Sequence, residues 1–301
     1  MNNVTVVTPV FNRKELLFRL MRSLNRQTSK CFKWLIIDDG STDGLREEFS
    51  KYITTVKLDF KVQYIYKENG GKQRAINDAV KIVDTEYIFI VDSDDILVPD
   101  AIEKVLNWIN VPEIDHRYAG VAGIRGNLEG FPIGGNPIFQ GDYIDCTNLD
   151  RGRYNLLADM AEVYKTEVLK KYPFTVWEGE KFLPEVLVWD KIAENGYLIR
   201  WYKDIIYLCD YLEGGLTKGS WKLLRDNPMG YARLFEHNYL FAPNTKSKIK
   251  NTIMMDSCLI LAKNIKYLRE SQNRIIGTLL LPFGFLLMLR RKAQFKKYID
   301  N

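Results

Sequence analysis

Tyr87-Ile88-Phe89-Ile90-Val91-Asp92-Ser93-Asp94-Asp95 decides the fold: five apolar residues run directly into a stretch holding three carboxylates. The apolar run suits a strand packed inside a sheet. Such a strand delivers its C-terminal end to the crevice where open α/β sheets bind ligands. Carboxylates crowded at one strand end repel one another unless a cation or hydrogen-bond donors offset them. An oxygen-only set suits Mg²⁺ or Mn²⁺, which share their coordination with substrate phosphates. Taken alone, the same residues read equally as a polar turn ahead of a helix starting near Pro99.

The order of the segments upstream separates these readings. Val4-Thr5-Val6-Val7-Thr8-Pro9-Val10 is a β-rich run, and Asn12 with Glu15 signals a helix start. Leu16, Leu17, Leu20, Met21 and Leu24 then recur at helical spacing. Trp34-Leu35-Ile36-Ile37 ends in Asp38-Asp39-Gly40-Ser41-Thr42-Asp43, and Val62-Gln63-Tyr64-Ile65-Tyr66 ends in Lys67-Glu68-Asn69-Gly70-Gly71-Lys72. Strand–helix alternation predicts an α/β protein with a Rossmann-like, mostly parallel central sheet flanked by helices. Right-handed crossovers bring all four strand ends to one edge.

Thr8-Pro9-Val10-Phe11-Asn12-Arg13, Asp38 to Asp43 and Asp92 to Asp95 resemble the three opening signatures of family 2 glycosyltransferases. The resemblance is dense over residues 1–110, traceable to about 215, and largely absent beyond. It implies a GT-A fold, a nucleotide-sugar donor, and a catalytic domain over 1–215, with a nucleotide-binding half at 1–110 and an acceptor half at 111–215. Residues 216–301 are then a helical basic tail.

The resemblance also assigns residues. The backbone around Thr8, Pro9 and Val10 and the carboxylate of Asp39 are expected to hold the nucleobase, Asp39 accepting the imide N–H of uracil or thymine. Asp38 is expected to brace the turn. Asn69 and the two glycines after it resemble the family's glycine-containing loop, with Lys72 or Arg74 offsetting diphosphate charge. Ile76 departs from the Arg that many relatives carry. Asp94 is the expected principal Mn²⁺ or Mg²⁺ ligand, joined by Asp95, while Asp92 and Asp95 face the ribose or metal-bound water. Counting back from Gly196-Tyr197 places Glu185 on the family's catalytic Asp, with Glu178, Glu180 and Asp190 as rivals. Asp159 and Glu180 are further candidates for contact with sugar or acceptor.

Composition bounds the rest. A chain of 301 residues, 46% of them hydrophobic, can bury a large core and carry an appendage. No signal-peptide pattern precedes the first strand, and Cys31, Cys146, Cys209 and Cys258 show no paired spacing. Both features predict a cytoplasmic protein with buried thiols. Residues 241–301 hold 12 Lys and Arg against 3 acids, the remainder 31 against 35, so the tail is expected to meet something anionic. Within it, residues 275–289 carry no charge, are interrupted by Pro282 and Gly284, and precede Arg290-Arg291-Lys292 and Lys296-Lys297. That segment reads as a peripheral anchor on the anionic cytoplasmic face of a membrane, with a C-terminal core helix as the alternative. No nucleic-acid motif accompanies the basic residues. An oligomer stays open.

The resulting expectation is an inverting glycosyltransferase, dependent on Mn²⁺ or Mg²⁺, that acts on a lipid-linked glycan of a surface polysaccharide. The alternatives are a metal-dependent phosphatase or nucleotidyltransferase and a non-catalytic nucleotide-sugar or glycan-binding module.

Overall fold

The computed structural model describes residues 3–209 and 220–299. Their packing separates two compact units, one made of Met1–Pro173 with Val188–Asp210, the other of Phe174–Leu187 with Tyr211–Asn301. The boundary expected between 215 and 216 lies outside the described residues, and residues 174–187, expected within the catalytic domain, belong to the second unit.

The first unit holds β1 (Val4–Val10), β2 (Phe32–Asp38), β3 (Lys61–Tyr66), β4 (Tyr87–Ile90), β5 (Ile96–Leu97), β6 (Tyr118–Gly126), β7 (Tyr143–Cys146), β8 (Met160–Lys165) and β9 (Leu198–Leu208). They form one sheet in the order β3-β2-β1-β4-β8-β6-β9-β5, with β7 also on β9. The parallel run is β3-β2-β1-β4. Beyond it the sheet is mixed: β8 is antiparallel to both neighbours, whereas β6 and β9 are parallel. Strand order reverses at β1, with β2 on one side and β4 on the other, so the ligand crevice of such a fold opens at the ends of β1 and β4.

Helices α1 (Lys14–Asn25), α2 (Leu45–Thr55), α3 (Lys72–Ile82), α4 (Ala101–Ile109) and α5 (Thr166–Lys171) accompany these strands, and α6 (Val186–Glu194) precedes β9. In α1 the buried residues Leu17, Leu20, Met21 and Leu24 fall on one stripe. Each such side chain contributes about 1.5–3 kcal/mol when fully removed from water. Trp34, Phe49 and Phe18 continue this core, with Phe49 edge-on to Trp34 at 5.9 Å. Pro9 is tolerated inside the sheet because β4 pairs with β1 only up to Val7. Cys31 is exposed, contrary to expectation, while Cys146 and Cys258 are buried.

The second unit is helical: α7 (Ser220–Asp226), α8 (Pro228–Leu240), α9 (Thr245–Leu261) and α10 (Arg274–Tyr298). Met229, Ala232, Met255, Cys258, Leu259 and Leu268 form its core. Helix α10 runs through Pro282 unbroken, which corrects the expected interruption. Pro282 and Thr278, the residue whose carbonyl it leaves without an amide partner, are both exposed. Gly284 does not break the helix either; it lets α10 approach α9, since a Cβ there would lie 2.5 Å from Cβ of Asp256. Arg291 is buried on the same face and donates to Oγ of Ser257 at 2.6 Å. The opposite face leaves Ile275, Leu279, Phe283 and Leu286 exposed at 70, 72, 56 and 61%. The apolar run is therefore core on one side and open on the other. Among the described residues no helix is long and apolar enough to cross a membrane.

Candidate active site

The site is assembled from loops at the ends of β1 to β4. Thr8, Pro9 and Val10 lie inside β1 with buried side chains. The Thr8 hydroxyl accepts the indole N–H of Trp34 at 3.0 Å, and the carbonyl of Val10 takes the amide of Asp39 at 2.8 Å. These residues build the floor of the site, and the chain first becomes exposed at Phe11. Asn12 adopts φ +50°, which Asn tolerates better than most residues. Its side chain does not cap α1 but accepts the Thr42 amide at 2.7 Å, while its own amide donates to Oγ of Ser41 at 2.9 Å. The turns after β1 and β2 are thereby tied together.

Asp38 braces its turn as expected, accepting the Ser41 amide at 2.8 Å and the Tyr64 hydroxyl. Asp39 is also a brace, holding the glycine loop through both carboxylate oxygens. Its Oδ1 accepts the Gly70 amide at 2.9 Å and Lys67 Nζ at 3.1 Å. Its Oδ2 accepts the Gly71 amide at 2.7 Å and the Asn69 side chain at 3.1 Å. A carboxylate has about four lone-pair positions, so one of the longer contacts must yield before Asp39 can take another donor. Gly40, at φ +86°, is required here because a Cβ would sit 2.8 Å from the Asn69 amide. Arg74 donates back to the carbonyl of Gly70 at 2.8 Å, whereas Lys72 reaches out to Oδ1 of Asp92 at 2.6 Å. Lys72 thus joins the glycine loop to the acidic run.

Each acid of that run has a different partner. Asp94 pairs with Arg13, and Arg19 donates to its backbone carbonyl. Burial raises the Asp92 pKa, but Lys72 and Arg125 outweigh it and hold the group below the usual carboxylate range. Asp95 is buried and accepts the Tyr207 hydroxyl at 2.7 Å. Its pKa is pushed up to about 7, first by burial and then by Asp92. Arg125 stands 3.8 Å from Asp92 and 3.9 Å from Asp95, with its guanidinium 4.3 Å above the Tyr207 ring. An all-oxygen set with Asp92 and Asp94 partly exposed suits a hard divalent cation, although among the described residues no group of three or more potential ligands converges.

Residues 5–163, just over half of the sequence, match the model for glycosyl transferase family 2. The chain belongs to that family. A glycosyltransferase of Rickettsia felis is 38% identical over 107 residues, covering 35% of this chain and 17% of that protein. GlyG of Streptococcus pneumoniae is 31% identical over 113 residues, 37% of this chain and 36% of GlyG. TuaG of Bacillus subtilis, a glycosyltransferase assigned to teichuronic acid biosynthesis, is 32% identical over 107 residues, 35% of this chain and 41% of TuaG. The matched stretch is well under half of each of these relatives. S. aureus TarS 1-349 in complex with UDP-GlcNAc superposes with a TM-score of 0.61 at 17% identity, over 98% of this chain and 92% of that one. The mannosyltransferase PcManGT from Pyrobaculum calidifontis, in complex with GDP-Man and Mn²⁺, gives 0.57 at 18%, over 99% and 88%. The fold is GT-A, as the opening motifs implied, and the phosphatase alternative has no support.

The remaining candidates of this family 2 chain divide by unit. In the sheet unit Asp159 is exposed just before β8. Asp190, a rival base, is buried with Asn148 against it. In the helical unit Glu185 is half-buried at the residue preceding α6. Glu180 is not a free acceptor contact: it is buried, and its carboxylate takes the amides of Met229 at 2.6 Å and Gly230 at 2.8 Å at the head of α8. The sequence reading missed Arg13, Arg125, Tyr207 and Glu162. Burial pushes the Glu162 pKa up to about 7, with Arg151 and Arg125 opposing. A lone arginine in the apolar strand Tyr118-Ala119-Gly120-Val121-Ala122-Gly123-Ile124-Arg125 was the available signal for Arg125.

Proposed function

We propose that this chain is an inverting glycosyltransferase that moves a hexosyl group from a UDP-sugar to a hydroxyl of a lipid-linked oligosaccharide or surface polysaccharide. The observation that carries the reading is the Lys72–Asp92 link, which sets the glycine loop and the acidic run side by side at the reversal point of the sheet. Asn69, Lys72, Arg74 and Asp92 face the nucleotide, while Asp39 shapes the loop and meets the base. Asp94, with Asp95, would hold Mn²⁺ or Mg²⁺, which when bound offsets charge on the departing nucleoside diphosphate. Glu185 takes the proton of the acceptor hydroxyl as the new C–O bond forms and the bond to diphosphate breaks, inverting the anomeric carbon. Asp159 contacts sugar or acceptor.

UDP is favoured over GDP because TarS was solved with UDP and UDP-GlcNAc, although PcManGT, solved with GDP-Man, defines the competitor. The open apolar face of α10, followed by Arg290, Lys292, Lys296 and Lys297, supports peripheral attachment to the anionic cytoplasmic face of a membrane. Incubation with a nucleotide-sugar panel, Mn²⁺ and lipid-linked acceptors tests the whole reading. Transfer from a UDP-sugar with inversion is expected, and Glu185→Gln should keep donor affinity while losing about 10²-fold or more in turnover. Retention of configuration, or turnover with GDP-mannose alone, overturns it.

A further inference from the structure

We propose that Arg13 is a donor-binding residue that exchanges partners, leaving the Asp94 carboxylate for the diphosphate, so that divalent cation and nucleotide bind as a coupled pair. The inference rests on the donor-site reading above.

Three cations face three carboxylates at this site: Arg13 on Asp94, Lys72 on Asp92, and Arg125 between Asp92 and Asp95. The acids are already neutralised by the protein's own side chains. A divalent cation arriving alone would have to displace an arginine from its carboxylate, leaving that guanidinium without a counter-charge beside a second positive centre. A nucleoside diphosphate removes the obstacle, since its oxygens accept the released guanidinium in a charge-assisted bidentate contact. Each ligand then relieves the cost of the other, which is positive cooperativity, a favourable coupling free energy that must be reciprocal.

The structure also shows why Arg13 can move where Arg125 cannot. Arg125 is inside the sheet unit, donates to the Met160 carbonyl at 2.8 Å and lies over the Tyr207 ring. Arg19 fixes the other side, holding the backbone of Asp94 in place. Arg13, by contrast, stands on the turn after β1 with its side chain 28% exposed. Its backbone is clamped by the Asn12 contacts to Ser41 and Thr42 and by the Lys14 amide on Oδ2 of Asp43 at 2.9 Å. A fixed Cα with a long, solvent-reaching side chain suits a swing that leaves the fold unchanged.

Calorimetric titration of the full chain with Mn²⁺ alone, UDP alone, and each in the presence of the other tests the exchange. In the wild type, Mn²⁺ should raise UDP affinity by about 5- to 150-fold, the usual range of such coupling. Arg13→Gln should bind Mn²⁺ alone more tightly, because Asp94 is released, yet bind UDP with Mn²⁺ more weakly, so the enhancement shrinks. Arg13→Lys, which keeps the charge but not the bidentate contact, should restore only part of the coupling. An arginine that only supports the fold would weaken both ligands and lower the melting temperature. Unchanged or weaker Mn²⁺ binding in Arg13→Gln overturns the exchange while leaving the donor site standing. A wild type that binds no UDP even with Mn²⁺ overturns the donor-site reading and the exchange with it.

Discussion

Tyr207 holds both ends of the acidic run: its hydroxyl donates to Oδ2 of Asp95 at 2.7 Å and accepts the backbone N–H of Asp92 at 2.9 Å. One side chain from β9 therefore sets the geometry of a loop that leaves β4. Tyr207→Phe removes both contacts and strands a buried carboxyl and a part-buried amide. Each unmet group costs about 1–3 kcal/mol. Urea unfolding should show a loss of that order, and UDP affinity should fall with it. Wild-type stability in Tyr207→Phe would mean the two groups find water instead.

Asp39 gives a test that separates a loop brace from a base reader. If its first task is to hold the amides of Gly70 and Gly71, Asp39→Asn should weaken UDP and GDP binding alike, by about tenfold or more, because an amide replaces one acceptor oxygen with a donor. A loss confined to uracil nucleotides would instead assign the carboxylate to the base. Titration of the variant with both nucleotides distinguishes the two.

Much of this was legible in the chain. The runs ending at Val10, Asp38 and Val91 are self-contained signals, because a buried strand between helices needs near-continuous apolar residues, while the edge strand ending at Tyr66 shows by its β-favouring residues. Their order then placed the acids at one edge. What stayed hidden depends on distant pairing. Arg125 lies over Tyr207 because β6 and β9 pair in parallel with those two residues in register, and Tyr207 reaches Asp95 because β9 pairs β5. Glu180 looked like an active-site acid by its place in Glu178-Gly179-Glu180; its service to the α8 amides depends on a helix some 50 residues later. Gly284 looked like a helix breaker because packing against Asp256 has no local signature.

Asp256 makes the helical unit sensitive to pH. The group is fully buried, neither oxygen has a hydrogen-bond partner, and burial pushes its pKa up to about 7. The folded protein therefore binds this proton more tightly than the unfolded chain, whose carboxyl titrates near 3.8. Between those two values the folded state carries more protons, so stability falls as pH rises from about 4 to 7 and levels off above. The span amounts to a few kcal/mol at most, at about 1.4 kcal/mol per pKa unit. Asp256→Asn should flatten this slope and stabilise the protein at pH 8, read by urea unfolding at pH 5 and pH 8. An unchanged slope in the variant would assign the pH dependence to other groups.

The exposed face of α10 yields the last expectation. Ile275, Leu279, Phe283 and Leu286 are open while Gly277, Gly284, Met288 and Arg291 are buried, so the two faces can be altered separately. Basic residues near an anionic leaflet add about 1 kcal/mol each, and an apolar face adds a contribution that salt does not screen. Full-length protein should co-sediment with phosphatidylglycerol vesicles, and raised salt should release only part of it. Replacing Leu279, Phe283 and Leu286 with Ser should leave only sedimentation that raised salt removes completely, with little change in melting temperature, since none of the three is packed in the helical core. If that variant loses its fold, the face is covered by protein in solution. If the wild type ignores the vesicles, the basic tail serves some other anionic partner.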